Sequence, residues 1–245
     1  FNENISRKYG IKKNKSGIMK NYKKNLELLT KNHVYSKEME HDACGVGVIA
    51  STEGKKSRAV VEYGIEALKA VWHRGAVDAD GKTGDGAGIH VEIPKDFFIE
   101  KVEVTGHDYD NSEICVGMIF LPRNDYTAQE SCKTIVESEL TKNNFSIYGW
   151  RQVPVNPKVL GEKALQTMPE IIQVLFKSND SNLLDKKLER KIYETRKRIE
   201  NKAFNLSLNN FYICSISSKS IIYKGMFLAE AIADFFLDLK DKRFI

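Results

Sequence analysis

The stretch Cys44-Gly45-Val46-Gly47-Val48-Ile49-Ala50 divides this chain and is the most informative part of its sequence. It is short and apolar and contains two glycines, which is typical of a buried strand that another backbone approaches closely. Residues 1–43, which precede it, show little apolar periodicity, and we expect a flexible or loosely helical leader there. Residues 44–245 carry helix and strand patterns throughout. The sequence therefore predicts a leader at 1–43 followed by a folded part at 44–245.

The charge of the chain is concentrated in the leader. The whole chain has a net charge of +5, and residues 1–43 hold ten basic and five acidic side chains. Their lysines are mixed with Asn and Tyr and form no groove-reading motif, so we expect no nucleic-acid partner. No run of 18 apolar residues occurs, which excludes a transmembrane helix. The first residue is Phe1 rather than Met, so we expect the natural start to lie upstream, and no targeting signal can be read.

The spacing of apolar residues predicts a layered α+β fold. Helices are predicted at about 58–73, 96–100, 126–142, 160–167, 182–203 and 226–236, and strands at about 89–93, 114–121, 145–153, 171–177, 211–217 and 220–224. The last two strands are separated by a tight polar turn, which predicts a hairpin. The outer face of the 182–203 helix is rich in charges of both signs, as expected for a solvated surface with ion pairs.

The four cysteines form no C-x-x-C pair, so neither a zinc site nor a redox dithiol is expected, and a disulfide framework is not expected in so long a chain. Cys115 and Cys214 lie in apolar strand patterns and Cys132 in a helix pattern, which favours buried small hydrophobic side chains. Cys44 opens a strand pattern. No histidine can be assigned as its general base from spacing, so the residues alone leave its role open.

The glycine-rich loop 81–88 invites two readings that its residues do not support. A phosphate loop needs a glycine five positions before Gly81, where Ala76 stands, and a helix rather than a strand after it. The three aspartates of residues 78–85 lack the spacing and the final glutamate of a calcium loop. We therefore predict a structural turn whose glycines permit positive φ and close packing.

Six segments carry a family pattern: Asp42-Ala43-Cys44-Gly45-Val46-Gly47, His73-Arg74-Gly75-Ala76, Thr83-Gly84-Asp85-Gly86-Ala87-Gly88-Ile89, Gly149-Trp150-Arg151, Phe211-Tyr212-Ile213-Cys214-Ser215 and Ile222-Tyr223-Lys224-Gly225-Met226. Taken together, they resemble the start of the large chain in the glutamate synthase family. They span nearly all of residues 38–245 in the family's order, with a departure at Val77-Asp78. This part of the chain is identified as a member of the class II glutamine amidotransferase domains.

The resemblance implies a fold and a site. The fold would be the four-layer αββα sandwich of the N-terminal nucleophile hydrolases, here incomplete on its C-terminal side, and we expect the 245 residues alone to be inactive as a glutaminase. Residues 1–43 would be a pro-segment whose removal makes Cys44 the first residue, with its thiol as nucleophile and its α-amine as base. Gly45 and Arg74 would support that nucleophile. The loop around Asp85 would pack beside it without a catalytic role.

The resemblance also implies partners. The substrate would be L-glutamine, and in the full-length enzyme 2-oxoglutarate and an electron donor, NAD(P)H or ferredoxin, would take part. FMN and an iron–sulfur cluster would lie outside this segment, which would hold no cofactor or metal. The compartment would be the cytoplasm or a plastid. Two alternatives stay open: another class II amidotransferase, such as a sugar-phosphate or purine-pathway enzyme, and a non-catalytic relative with a basic binding arm.

Overall fold

The computed structural model describes residues 24–28, 30–31, 45–71 and 77–245. The chain divides into two compact units, Phe1–Cys44 and Gly45–Ile245. In the first unit, residues 24–28 and 30–31 are helical, and the rest of the predicted leader lies outside the described residues. Across the described ranges, no helix combines the length and the apolar character that a membrane crossing requires.

The second unit contains both helices and strands, which confirms the predicted α+β class. The helices are α1 (Arg58–Ala70), α2 (Lys95–Val104), α3 (Tyr126–Lys142), α4 (Glu162–Thr167), α5 (Asp185–Asn205) and α6 (Ile232–Phe235). The strands are β1 (Ala87–Glu92), β2 (Cys115–Leu121), β3 (Phe145–Gln152), β4 (Glu170–Ser178), β5 (Tyr212–Ser217) and β6 (Ser220–Gly225). Short 3₁₀ turns occupy Pro157–Val159, Ala229–Ala231 and Leu237–Lys240.

The long helices form where apolar spacing and capping agree. Helix α5 buries Leu188, Ile192 and Ile199 along one stripe, as its 3.6-residue period requires. Its outer face carries the predicted mixed-sign pairs, among them Arg190–Glu194 at 2.9 Å. Helix α3 begins after Asp125, whose carboxylate accepts a hydrogen bond from the Ala128 backbone N–H at 2.9 Å and so satisfies one of the free donors of the first turn.

The strands form two antiparallel sheets. Four strands pair in the order β3-β4-β2-β5, and β1 pairs with β6. The central strand β2 is buried on both faces: Cys115 and Ile119 pack in a cluster with residues of α3 and α5, while Val116 and Met118 pack in a second cluster with residues of α2, β1 and β6. The four-stranded sheet is therefore covered by helices on one face and by the two-stranded sheet with its neighbours on the other.

The predicted hairpin between β5 and β6 is wrong, although both strands form. Strand β5 pairs with β2 and strand β6 with β1, so the chain passes from one sheet to the other at the intervening turn. Glu189 of α5 holds this turn, because its carboxylate accepts hydrogen bonds from the Ser217 hydroxyl at 2.9 Å and the Ser218 backbone N–H at 2.7 Å. A tight turn predicts that the two strands pair with each other, but here each strand pairs within a different sheet.

The helix predicted at 226–236 forms but is shorter than expected. A 3₁₀ turn at Ala229–Ala231 runs directly into the single-turn helix α6. Phe235 and Phe236 lie with ring centroids 4.7 Å apart, and both pack on Phe227. The rings are buried on several sides of the segment, so their packing, and not a single apolar face, shapes the backbone here.

A buried polar network joins the two sheets. Arg151 of β3 donates to both carboxylate oxygens of Asp238, at 2.6 and 2.8 Å, and to Gln173 of β4 at 2.7 Å. The hydroxyl of Tyr223 in β6 donates to Asp238 at 3.1 Å. Asp238 is 4% exposed, and Gln173 and Tyr223 are fully buried. Burial is the main cause that raises the pKa of Tyr223, followed by the charge of Asp238, so the phenol stays a donor to the carboxylate.

We expect Asp238→Ala to lower the free energy of unfolding by about 3–5 kcal/mol, because it leaves the Arg151 guanidinium buried without its counter-ion. Urea unfolding of the purified protein, followed by circular dichroism, measures the loss. Asp234→Ala is the matched control: it removes an exposed pair with Lys240, of 2.8 Å, and should cost less than about 1 kcal/mol. Equal losses in the two variants would contradict the role assigned to the network.

Candidate active site

A cleft of about 640 Å³ lies at the start of the second unit, between residues 45–57, helix α1 and strand β1. Gly45, Val46 and Gly47 line one side, and Val60, Val61, Gly64 and Leu68 line the helical side. Gly45 directly follows Cys44 in the sequence. We therefore take this cleft as the candidate active site.

The predicted buried strand at 44–50 is wrong within its described residues. Residues 45–50 belong to no sheet and are exposed, with Val46 89% and Val48 85% exposed. Strand β1 pairs with β6 along its whole length, from Ala87↔Gly225 to Glu92↔Ser220, and its other edge pairs with no described residue. A strand needs a partner for its backbone N–H and C=O groups, so an apolar pattern by itself does not produce one.

Helix α1 forms one wall of the cleft and precedes Arg74 in the sequence. The helix predicted at 58–73 is confirmed over Arg58–Ala70, with Val61 and Ile65 buried. Gly64 of the helix faces Ile89 of β1, and a Cβ there would make an ordinary contact of 3.5 Å with Ile89 Cδ1. Val71, the last described residue of this segment, also lines the cleft.

The expected site residues are described only in part. Gly45 is exposed and lines the cleft. Cys44 and Arg74 lie outside the described residues, and each is close in sequence to a residue that lines the cleft: Cys44 to Gly45, and Arg74 to Val71.

The glycine-rich loop is the structural turn that its residues predict. Gly81 and Gly86 have φ of 70° and 120°, a region that favours glycine. At Gly88, an added Cβ would lie 2.8 Å from Lys224 Cβ, so only glycine lets β1 and β6 approach this closely. Asp85, for which we expect no catalytic role, lines a different cleft together with His90 and Lys224.

The sequence analysis missed the contact between this loop and helix α4. Asp80 Oδ1 accepts the backbone N–H groups of Lys82 and Thr83 at 2.9 and 2.7 Å, and Asp80 Oδ2 accepts the Thr83 hydroxyl at 2.6 Å. The Thr83 hydroxyl in turn accepts the Ala164 backbone N–H at 3.3 Å. The hydrogen bonds from Thr83, Lys82 and the Lys163 backbone hold the pKa of Asp80 well below its usual range. The Asp-x-x-Thr spacing signals the local turn, but nothing in the sequence signals its contact with α4.

The cleft is lined by an ion pair, and the described cysteines lie elsewhere in the core. Lys56 and Glu92, both partly exposed, form an ion pair between residues that line the cleft. Among the residues that the structure describes, no group of three or more His, Cys, Asp or Glu side chains is placed to hold a metal ion. Cys115, Cys132 and Cys214 are buried and unpaired, as predicted. Burial raises the pKa of Cys132 and of Cys214 to about 11, and that of Cys115 further.

Comparison with known proteins places these features in a family context. A sequence model of the class-II glutamine amidotransferases matches residues 44–245. The chain is 54% identical over 223 residues to the glutamate synthase (NADPH) large chain of Azospirillum brasilense, an overlap of 91% of this chain and 15% of that protein. It is 40% identical over 205 residues to ferredoxin-dependent glutamate synthase 1, chloroplastic/mitochondrial, of Arabidopsis thaliana, an overlap of 83% of this chain and 12% of that protein.

A third relative is the chloroplastic ferredoxin-dependent glutamate synthase of Spinacia oleracea. It is 37% identical over 207 residues, an overlap of 84% of this chain and 13% of that protein. The chain thus spans 12–15% of the length of these three curated relatives.

We expect the three described cysteines to resist alkylation in the native protein. Their thiols are buried and their pKa values are raised, so at pH 8 very little of the reactive thiolate is present. Iodoacetamide at pH 8, read by mass spectrometry, should modify none of Cys115, Cys132 and Cys214, and all three should react after unfolding in guanidinium chloride. Rapid native labelling of any of them would contradict the burial described above.

Proposed function

Because the chain belongs to the class-II glutamine amidotransferases, we propose that it is the glutaminase part of a glutamate synthase. It would hydrolyse L-glutamine and supply ammonia for the reductive amination of 2-oxoglutarate to L-glutamate. One observation carries this proposal: the family match begins at Cys44, and the residues that follow Cys44 line a cleft large enough for an amino acid. The named relatives favour glutamate synthase over the other class II enzymes.

The domain division and the finer fold belong to the same proposal. Residues 1–43 would be a pro-segment and residues 44–245 the N-terminal part of the amidotransferase domain, built as a four-layer αββα sandwich. The packing of α3 and α5 on one face of the four-stranded sheet, and of β1 and β6 on the other, supports this arrangement. In the mature enzyme, residues 45–50 would pair with the open edge of β1 and bring Cys44 to the cleft.

The chemistry follows from making Cys44 the first residue. An amide nitrogen accepts no proton, whereas a free α-amine has a reference pKa of about 7.7–8.0 and can take the proton of the adjacent thiol. The Cys44 sulfur then bonds to the side-chain amide carbon of glutamine. The carbon–nitrogen bond then breaks, and the proton that the Cys44 α-amine took from the thiol passes to the departing nitrogen. The products are ammonia and a thioester. Water adds to the thioester, the carbon–sulfur bond breaks, and glutamate leaves.

Gly45 and Arg74 would support this nucleophile. Gly45 is exposed beside the cleft, and the absence of a side chain there would leave room for substrate at the thiol. Arg74 follows the helix that forms the cleft wall, and its guanidinium would support the nucleophile segment by charge-assisted hydrogen bonds.

The cofactors and further partners would act outside this chain. The three described cysteines lie singly in apolar surroundings, which does not fit an iron–sulfur cluster, so the proposal places the cluster and FMN elsewhere in the enzyme. The electron donor would be NAD(P)H or ferredoxin, since the relatives carry both in their names. The compartment would be the cytoplasm or a plastid.

We expect peptide mass spectrometry of the mature, full-length natural protein to find Cys44 as the first residue. Processing is required because only a free α-amine supplies the base next to the thiol. Retention of residues 1–43 would contradict the mechanism. It would favour the relative with a basic binding arm, whose binding should weaken steeply with salt.

We expect Cys44→Ala in the full-length enzyme to abolish glutamate synthesis from glutamine while synthesis from added ammonia persists. The substitution removes the nucleophile but leaves the step that consumes ammonia untouched. Cys132→Ala, a change at a buried cysteine of α3, is the matched control and should retain both activities. Undiminished glutamine-dependent synthesis by Cys44→Ala would refute the assignment.

A further inference from the structure

The turn that follows α1 is held against a helix far away in sequence. We call Asp80, Thr83 and the facing Gly161 the Asp80–Thr83 clamp. Thr83 is 2% exposed, and its hydroxyl donates to Asp80 and accepts from Ala164, a residue 81 positions later. The hydrogen bond from Ala164 is buried, whereas Asp80 is exposed, so removing the Thr83 hydroxyl leaves the buried Ala164 N–H without its partner.

Gly161 packs directly against the Asp80 carboxylate and the Thr83 hydroxyl. A Cβ at this position would overlap both Asp80 Oδ2 and Thr83 Oγ1. The backbone of Gly161 is in an ordinary extended conformation, with φ of −73° and ψ of 162°, so glycine is not needed there for its φ. Close packing of the carboxylate and the hydroxyl is what requires it.

The same turn is fixed on a second side. Val77 forms an antiparallel bridge with Gly84, and the Asp78 N–H donates to the Thr83 carbonyl at 2.8 Å. An added Cβ at Gly84 would lie 3.1 Å from the Phe227 carbonyl oxygen and from Leu228 Cδ2. Residues 77–84 therefore form a small rigid unit that packs against α4 on one side and against the segment after β6 on the other.

This rigid unit stands at one end of the connection that carries Arg74. At the other end, Val71 closes α1 and lines the candidate active site. Five residues connect Val71 to Val77, and so short a connection reaches only where its two ends allow.

We propose that Asp80 and Thr83 are positioning residues for glutamine hydrolysis, which act by holding the 77–84 turn that follows Arg74 in the sequence. This inference rests on the proposed function and adds to it two residues that touch no substrate. Loops held by a rigid scaffold commonly place catalytic groups, and a small displacement of such a group lowers the rate without unfolding the protein.

The test uses the full-length enzyme and variants that separate the clamp from the fold. In Asp80→Asn and Thr83→Val, we expect kcat/KM for glutamine hydrolysis to fall about 10-fold or more, with ammonia-dependent glutamate synthesis unchanged. Thr83→Ser keeps the hydroxyl and should retain activity within about 2-fold of the wild type. Lys82→Ala, on the same turn but with an exposed side chain, is the matched control and should behave like the wild type.

A double-mutant cycle identifies the route of the effect. If Asp80 acts through Arg74, then Asp80→Asn added to Arg74→Ala should lower kcat/KM no further than Arg74→Ala does alone. Multiplicative losses in the double variant, no loss in Arg74→Ala, or equal losses in Thr83→Ser and Thr83→Val would each overturn the inference. A wild-type enzyme without glutaminase activity would instead overturn the proposed function, so the two failures are distinguishable.

Discussion

The ion pair between Arg151 and Asp238 is the interaction on which the second unit most depends. It is bidentate and nearly buried, and it links the edge strand β3 to the turn near the end of the described chain. Gln173 and Tyr223 use the remaining hydrogen-bonding capacity of the pair. A buried charge is costly unless it is paired and hydrogen-bonded, so this network holds only one arrangement of the two sheets. The aromatic cluster of residues 227–244 then packs around it.

The candidate site is built on a different constraint, the close approach of backbones. Gly88 lets β1 lie against β6, since a side chain there would overlap Lys224, and Gly161 lies against the Asp80 carboxylate. Gly88 also lines the candidate cleft, together with residues of α1 and β1. The wall of the cleft ends at the edge of β1 that pairs with no described residue.

The edge of β1 that pairs with no described residue is where we propose that the catalytic segment attaches. Residues 45–50 expose apolar side chains beside an edge strand, an arrangement that proteins normally cover or pair. The chemistry assigned to Cys44 requires both a free amine and a fixed position, and pairing of this segment would supply the position. The Asp80–Thr83 clamp fixes the turn that follows Arg74 in the sequence.

The sequence by itself determined the elements whose cause is local. Helices α1, α3 and α5 follow from apolar periodicity, and most strands from short apolar runs bounded by polar turns. The burial of Cys115, Cys132 and Cys214 follows from the patterns around them, and the motifs from Cys44 onward identified the family. Sequence reasoning failed at the β5–β6 hairpin and at the strand of 44–50, and it predicted the helix of 226–236 longer than it is. Strand pairing decided the first two: β5 pairs with β2 and β6 with β1, and residues 45–50 pair with no described strand. No local pattern encodes which distant strand a segment pairs with. The Arg151–Asp238 pair and the hydrogen bond from Ala164 to Thr83 are also decided by the tertiary structure. Each joins residues more than 80 positions apart, which only the fold brings together.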